Sequence, residues 1–178
     1  KGNLWVASLL SPDMPMAKIP DGLSIMKQFQ YEAKQMSKTI GKSGKSTGVI
    51  NRIRPEGKEP VSPSYTGEGA VNIPWGLAID GNDDVWIANF GGEGVVLMKG
   101  AETKGSTHLK EGEAIHHFQC GCIQKVTDVV VDAAGNVWAA NNWNHLDAAL
   151  ADTFLPRIST QGGGNGVTII YGVAAPIG

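Results

Sequence analysis

Short apolar runs, each closed by an aspartate and a turn, set the pattern of this chain. One apolar run ends at Asp80 and another at Asp132, and each is followed by a turn that contains Gly and Asn. A second apolar run then carries a tryptophan, Trp86 in the first case and Trp138 in the other. Runs of five to six residues that are rich in β-branched and aromatic side chains are typical of β-strands. The pattern therefore predicts antiparallel hairpins.

The two hairpins belong to copies of one repeat. Segments 80–89 and 132–141 place Asp, Trp, Ala and Asn in register, and segment 2–8 is a partial copy around Trp5. Third strands are expected at 48–53, 94–98 and 166–171, and outer strands at 60–66 and 114–119. Four-stranded antiparallel sheets that repeat every 40 to 50 residues are typical of β-propeller blades. The predicted fold is therefore all-β, a β-propeller segment over 1–178 with about three blades, at 1–73, 74–125 and 126–178.

The first complete copy resembles a known repeat family. Segment 73–80, followed by Asn82 and segment 85–89, is similar to the blade motif of NHL repeats, which virginiamycin B (streptogramin) lyases and gluconolactonase-like propellers share in a looser form. The resemblance covers roughly 60 residues, in two full copies and one partial copy. It implies a propeller, and propellers close with about four to eight blades. We therefore expect a C-terminal part of a longer propeller, with the missing blades supplied by the rest of the chain or by another copy.

Long insertions are expected to crowd one end of the sheets. The connection between the second and third strands differs in length among the copies, spanning 8–48, 89–94 and 141–166. These connections share one end with those that lead from an outer strand to the next inner strand. Since loops on a rigid scaffold tend to carry binding residues, we expect a small ligand or a protein partner at this loop face.

The first insertion predicts an amphipathic helix over about 21–41. Five apolar residues fall on one helical stripe, while lysines dominate the other side: Ile25, Phe29, Ala33, Met36 and Ile40 form the stripe. The preferred interpretation is a helix packed on the propeller with a solvated lysine face. The alternative is a basic helix that touches a membrane surface.

The candidate functional residues lie at the predicted loop face. His145 is the first catalytic candidate, because amides and a carboxylate flank it, and His117 is the second. Since His116 and His117 are consecutive in a predicted strand, at most one of them faces inward. The ligand-binding candidates are aromatic and amide side chains: Trp75, Asn89, Asn141, Asn142 and Trp143.

Each of these candidates has a structural alternative. The asparagines at the ends of the tryptophan strands, Asn89 and Asn141, also fit a role as structural caps. The recurring tryptophans are expected to pack between blades, and Asp80, Asn82 and Asp84 are expected to form an Asx-type turn rather than a calcium loop. The family resemblance implies one further option, a metal-dependent lyase or lactonase acting on a cyclic ester, with a histidine base and a divalent ion such as Mg²⁺ or Ca²⁺.

Composition narrows the class of protein. The chain has 178 residues, of which 42% are hydrophobic and 18% charged, with a formal net charge of −2. This composition supports a globular core and argues against nucleic-acid binding, which usually requires a basic domain. No apolar stretch is long enough to predict a transmembrane segment, and the compartment stays open, with export among the options. Cys120 and Cys122 are one residue apart, closer than the usual spacing of a disulfide across facing strands, so we expect loop or buried residues rather than a disulfide or metal ligands.

Overall fold

The computed structural model is mostly β, and its strands form three antiparallel sheets that follow one another along the chain. It describes residues 2–11, 18–28, 31, 35, 48–55, 63–101, 108–143 and 163–177. The first sheet pairs β1 (Leu4–Ser8) with β2 (Val49–Ile53). The second has the order β3 (Pro74–Ile79), β4 (Val85–Asn89), β5 (Gly94–Met98) and β6 (Ala114–Phe118), and the third has the order β7 (Lys125–Val131), β8 (Val137–Trp143) and β9 (Gly163–Ile170). The predicted all-β class and the meandering order of the strands are confirmed.

An aspartate holds together the first hairpin of the second sheet. Asp80 accepts hydrogen bonds from the backbone N–H groups of Asn82 at 2.9 Å and Asp84 at 3.1 Å. Its second oxygen accepts from the indole Nε1 of Trp86 at 3.0 Å. The predicted Asx-type turn is therefore confirmed, and the spacing of six residues between Asp and Trp has a physical cause. One carboxylate satisfies both the turn and the buried indole, whose N–H would otherwise lack an acceptor.

The third sheet repeats this arrangement. Asp132 accepts from the backbone of Asn136 and from the Nε1 of Trp138, both at 2.9 Å. The hydrogen bonds from Trp138 and Asn136 lower the pKa of Asp132 to about 2, because they stabilise its charged form. In the first sheet the Nε1 of Trp5 is buried and finds no acceptor among the described residues.

Both faces of the second sheet are packed against a neighbouring sheet. The face that carries Trp86 packs on the third sheet, and this core includes Val95, Val129, Val137 and Ala139. The opposite face packs on the first sheet in a core that includes Ile50, Val85, Ile87, Val96 and Met98. Strands β3 and β7 approach closely at Gly76, where an added Cβ would lie 2.7 Å from the Cα of Asp128. A side chain at Gly76 would therefore push the two sheets apart.

The three recurring tryptophans do not share one environment. Trp86 is fully buried, and Trp5 packs near Tyr65 with ring centroids 6.1 Å apart. Trp138 is 41% exposed on the outer face of the third sheet, beside the exposed Val130. The expectation that all three pack between sheets is therefore wrong for Trp138, because its face meets no further sheet within the described residues.

An ion pair links the first sheet to the turn before β6. The carboxylate of Glu111 accepts hydrogen bonds from Arg52 Nε at 2.6 Å and from Arg52 Nη2 at 3.1 Å. It also accepts one from the hydroxyl of Tyr65 at 2.6 Å. The hydrogen bond to Glu111 raises the pKa of the buried Arg52 above its ordinary value. Of the outer strand predicted at 60–66, residues 63–66 are described, and they pair with the first sheet through a bridge between Tyr65 and Ile50.

Part of the predicted helix is described, and it begins at Ile25 rather than at about residue 21. Residues 25–28, 31 and 35 are helical, and the N–H of Gln28 donates to the carbonyl of Ser24 at 2.9 Å. Ile25 is 73% exposed, so its assignment to a buried stripe is wrong. The other stripe residues, Phe29, Ala33, Met36 and Ile40, lie outside the described residues. Within the described ranges no helix has the length and apolar character needed to cross a membrane.

Candidate functional site

Two asparagines tie the connections together at the predicted loop end of the sheets. The Oδ1 of Asn89 accepts from the N–H of Asn72 at 2.6 Å, and its Nδ2 donates to the carbonyl of Ala70 at 2.9 Å. In the third sheet Asn141 Oδ1 accepts from the N–H of Gln124 at 3.0 Å. In each case the amide at the end of the tryptophan strand fixes the segment that enters the inner strand of the same sheet. This is the structural role considered for both residues. Most of the two long insertions, 8–48 and 141–166, lies outside the described residues, so their crowding at this end stays a prediction.

A disulfide lies in the turn between β6 and β7. Cys120 and Cys122 are bonded to each other, with Cα atoms 5.1 Å apart, and both residues are exposed. The expectation based on facing strands is therefore wrong. A tight turn, closed by a hydrogen bond of 3.0 Å from the N–H of Ile123 to the carbonyl of Cys120, brings the side chains together. The turn is fixed from the third sheet too, because Asn141 Nδ2 donates to the carbonyl of Cys122 at 3.0 Å.

A cleft of about 530 Å³ opens between this turn and the connection from β4 to β5. Its lining residues come from both connections: Glu93, Gln119, Cys120, Gly121, Ile123 and Gln124. Gln119 Nε2 donates to the carbonyl of Gly92 at 2.8 Å, which links the two walls. The cleft is thus built from a backbone that the disulfide and the asparagine amides hold in place. We call it the loop-end cleft.

The charges at the loop-end cleft are paired. Lys125 Nζ lies 2.8 Å from Glu93 Oε1, and Lys125 also lies over the ring of Phe90, 5.5 Å from its centroid. Trp75 meets Phe90 edge to face, with centroids 4.8 Å apart, and is 43% exposed. Lys125 therefore connects the cleft residue Glu93 to an aromatic surface formed by Phe90 and Trp75, neither of which lines the cleft itself.

One polar atom beside the loop-end cleft lacks a hydrogen-bond partner. Gln124 lines the cleft, and its Oε1 is buried with no donor among the described residues. Its backbone N–H is already used by Asn141. A buried acceptor with no donor costs about 1–3 kcal/mol, and a ligand in the cleft would donate to this oxygen once the Gln124 side chain turns toward the cleft.

The histidine of β6 that was singled out as a catalytic candidate stands near one asparagine cap. His117 is half-buried, with its Nε2 3.5 Å from Nδ2 of Asn89. Burial, with a smaller effect of His116, lowers the pKa of His117, so the ring is neutral at pH 7. His116 is exposed and packs edge-on to Phe118, with centroids 4.4 Å apart. The expectation that at most one of the two faces inward fits these positions.

The remaining candidates lie at the end of β8 or beyond it. Asn142 is exposed and donates to the hydroxyl of Thr127 at 2.6 Å. Trp143 is the last residue of β8, opposite Lys125 and Gly163. His145 lies outside the described residues, so its catalytic role stays a prediction. Among the residues that are described, no three His, Cys, Asp or Glu side chains gather as a set that could hold a metal ion.

Sequence reasoning missed most of the cleft. Glu93, Gln119 and Gln124 were not candidates, although Gln119 and Gln124 belong to the polar segment between β6 and β7. That is the same kind of connection that made Trp75 a candidate. The position of Gln119 and Gln124 in such a connection was the available signal, whereas nothing in the sequence pairs Lys125 with Glu93.

No protein-family model matches the chain, and the search of curated proteins finds no match.

Proposed function

We propose that this chain is a segment of a β-propeller-type scaffold that binds a small, neutral, hydroxyl-bearing ligand at the loop-end cleft. The propeller arrangement is supported by the order of the three sheets and by the contacts of β3 with both β1 and β7, which follow the expected succession of neighbouring blades. The repeated bonding of Trp86 and Trp138 to an aspartate supports equivalent blades. The site is proposed on the cleft itself, an open depression between the β4–β5 connection and the turn from β6 to β7.

The chemistry of the cleft favours a neutral ligand. Glu93 and Lys125 neutralise each other at 2.8 Å, so an added charge would meet no free counter-ion at this pair. The amides of Gln119 and Gln124 supply the remaining polar groups of the wall. An amide oxygen such as that of Gln124 accepts from hydroxyl or N–H groups.

The aromatic surface beside the cleft points to the same class of ligand. Trp75 exposes part of its ring next to Phe90, and exposed aromatic rings provide large contact areas with a fixed geometry. A ligand with an apolar face and several hydroxyl groups, such as a neutral carbohydrate, would contact Trp75 with one side and the amide of Gln124 with the other. The volume of the cleft falls within the range of small-molecule sites, and polar side chains make up half of its lining residues.

The proposal is tested with a panel of neutral disaccharides, with binding followed by ligand-observed NMR and titration calorimetry. We expect at least one member to bind, and we expect Trp75→Ala and Gln124→Leu each to weaken that binding about tenfold, as loss of one well-placed contact does. Tyr171→Ala is the matched control, because Tyr171 is an exposed aromatic residue in the turn after β9, at the opposite end of the sheets. It should leave the affinity unchanged.

Two results would argue against this function. Failure of every neutral sugar, with binding of charged ligands instead, would contradict the charge argument. Equal affinity of wild type and Trp75→Ala would remove the aromatic surface from the site. A double variant, Cys120→Ser with Cys122→Ser, adds a separate check. It removes the disulfide from the turn that forms one wall of the cleft, so ligand binding should weaken while the opposite end of the sheets stays unchanged.

A further inference from the structure

The disulfide in the turn between β6 and β7 closes a very small loop. Cys120 and Cys122 are separated in sequence by Gly121 alone. A disulfide stabilises a fold mainly by restricting the unfolded chain, and this effect becomes smaller as the closed loop becomes shorter. By this effect the Cys120–Cys122 bond contributes little, so we expect it to open without unfolding the sheets.

Hydrogen bonds to backbone atoms hold this turn in addition to the disulfide. The N–H of the buried Ile123 donates to the carbonyl of Cys120 at 3.0 Å. From the third sheet, the Nδ2 of Asn141 donates to the carbonyl of Cys122 at 3.0 Å, and the hydroxyl of Thr168 donates to the same carbonyl. None of these bonds uses a sulfur atom. The two cysteines therefore stay close to each other when the S–S bond opens, and they can form it again.

The disulfide is accessible from outside. Cys120, Gly121 and Cys122 are all exposed, and a Cβ added at Gly121 would meet no described atom within 4 Å. Cys120 also lines the loop-end cleft, whereas Cys122 is not among its described lining residues. Thiol–disulfide exchange requires that a thiolate reach one of the two sulfurs, and exposed disulfides are the labile ones. Cys120 is therefore the cysteine that a small molecule in the cleft would contact.

We propose that the Cys120–Cys122 disulfide is a reversible exchange site for small thiols, which attack Cys120 from the loop-end cleft. The cleft, of about 530 Å³, falls within the size range of small-molecule sites. Exposure of the bridge, its short loop and the sulfur-free bonds of the turn together favour repeated opening and closing. The inference does not depend on the neutral ligand proposed above, because it needs only access to one sulfur.

The exchange balances with the small thiol as the reductant. The thiolate of the first small thiol bonds to the Sγ of Cys120, the bond to Cys122 breaks, and the sulfur of Cys122 leaves as a thiolate that takes up a proton. A second small thiol then attacks the first one in this mixed disulfide and releases the thiol of Cys120. Two small thiols are thereby oxidised to one disulfide, while the protein disulfide is reduced to two thiols. A small disulfide drives the same steps in reverse.

The first experiment measures exchange in the folded chain. The chain is incubated with mercaptoethanol in native buffer, and free thiols are counted by alkylation and intact mass. We expect both cysteines to become alkylated while the circular dichroism spectrum stays native, and we expect hydroxyethyl disulfide to restore the bridge. Reduction only in urea, or loss of the native spectrum on reduction, would overturn the proposal. Reduction by a protein dithiol such as thioredoxin, with none by mercaptoethanol, would contradict the small-thiol class.

Two single variants identify the sulfur that reacts. Cys122→Ser leaves Cys120 as the lone thiol, and Cys120→Ser leaves Cys122. In the folded chain we expect the lone thiol at position 120 to form a mixed disulfide with hydroxyethyl disulfide about tenfold faster than the one at position 122, because access controls the exchange rate. In urea the cleft is lost, so the two variants should react at equal rates, which provides the matched control. Equal rates in the folded chain as well would overturn the approach through the cleft.

Discussion

Replacing Asp80 by alanine tests whether one carboxylate organises each sheet. Asp80 is buried and accepts from four donors, of which the N–H of Asp84 and the Nε1 of Trp86 are themselves buried. A fourth donor, the N–H of Ala175 at 3.2 Å, connects the segment after β9 to this turn. Each buried N–H left without an acceptor costs about 1–3 kcal/mol, and partial relaxation of the turn reduces the sum. We expect Asp80→Ala to lower the free energy of unfolding by about 3 kcal/mol.

The matched control is Asp132→Ala in the third sheet. Asp132 also accepts from a turn and from an indole, but Trp138 is exposed, so water replaces the lost acceptor there. Its loss should therefore be clearly smaller than that of Asp80→Ala. The assay is urea unfolding followed by circular dichroism and tryptophan fluorescence, with both midpoints and slopes fitted.

Two results would contradict the expected difference between Asp80→Ala and Asp132→Ala. Equal destabilisation by the two variants would mean that burial of the indole does not decide the effect. A loss below about 1 kcal/mol for Asp80→Ala would mean that the carboxylate is replaceable by water even at a buried hairpin.

Three further predictions follow from single contacts. Gly76→Ala should lower the free energy of unfolding by about 1–3 kcal/mol, because the added Cβ would collide with the backbone of Asp128. Gly121→Ala is the control, since a Cβ added there has no described atom within 4 Å, and it should leave the stability unchanged. Equal unfolding midpoints of the two variants would contradict the close approach of the sheets at Gly76. The stability that Asp132 contributes is present above its ordinary pKa of 3.8 and is lost as the pH falls toward about 2, since the folded state lowers that pKa. The unfolding temperatures of wild type and Asp132→Ala should therefore become equal as the pH is lowered toward about 2. A difference that does not change with pH would contradict this role of the Asp132 charge. Glu111→Gln should cost about 1–2 kcal/mol in unfolding free energy, discounted for the partial exposure of the carboxylate, and high salt should narrow the gap from wild type.

Local patterns were enough for much of the fold. Strands β4 and β5 begin and end at the residues that the apolar runs predict, because alternation and turn residues act over a few positions. The six-residue spacing between Asp80 and Trp86 was visible as a repeat, although the hydrogen bond that explains it was not. The disulfide was mispredicted because the argument assumed facing strands, whereas a tight turn brings Cys120 and Cys122 together.

The candidate site, too, was predictable from the sequence only in part. Trp75 was predicted from its place before an inner strand, and the structure shows it partly exposed and packed on Phe90, outside the lining of the loop-end cleft. Glu93 and Lys125 are 32 positions apart, and their 2.8 Å contact depends on how the second and third sheets pack. Sequence spacing carries no information on such a distance, because it is set by the packing of two sheets.

The sequence by itself determined the all-β class, the hairpins and the aspartate–tryptophan repeat, since these depend on side-chain alternation and on turns within about ten residues. Only the tertiary structure decided which equivalent residues are buried. Trp86 is enclosed between two sheets while Trp138 is exposed, although both follow an aspartate by six residues and both donate to it. Burial is a property of what packs against a face, and the partner of a face is chosen by contacts that are distant in sequence.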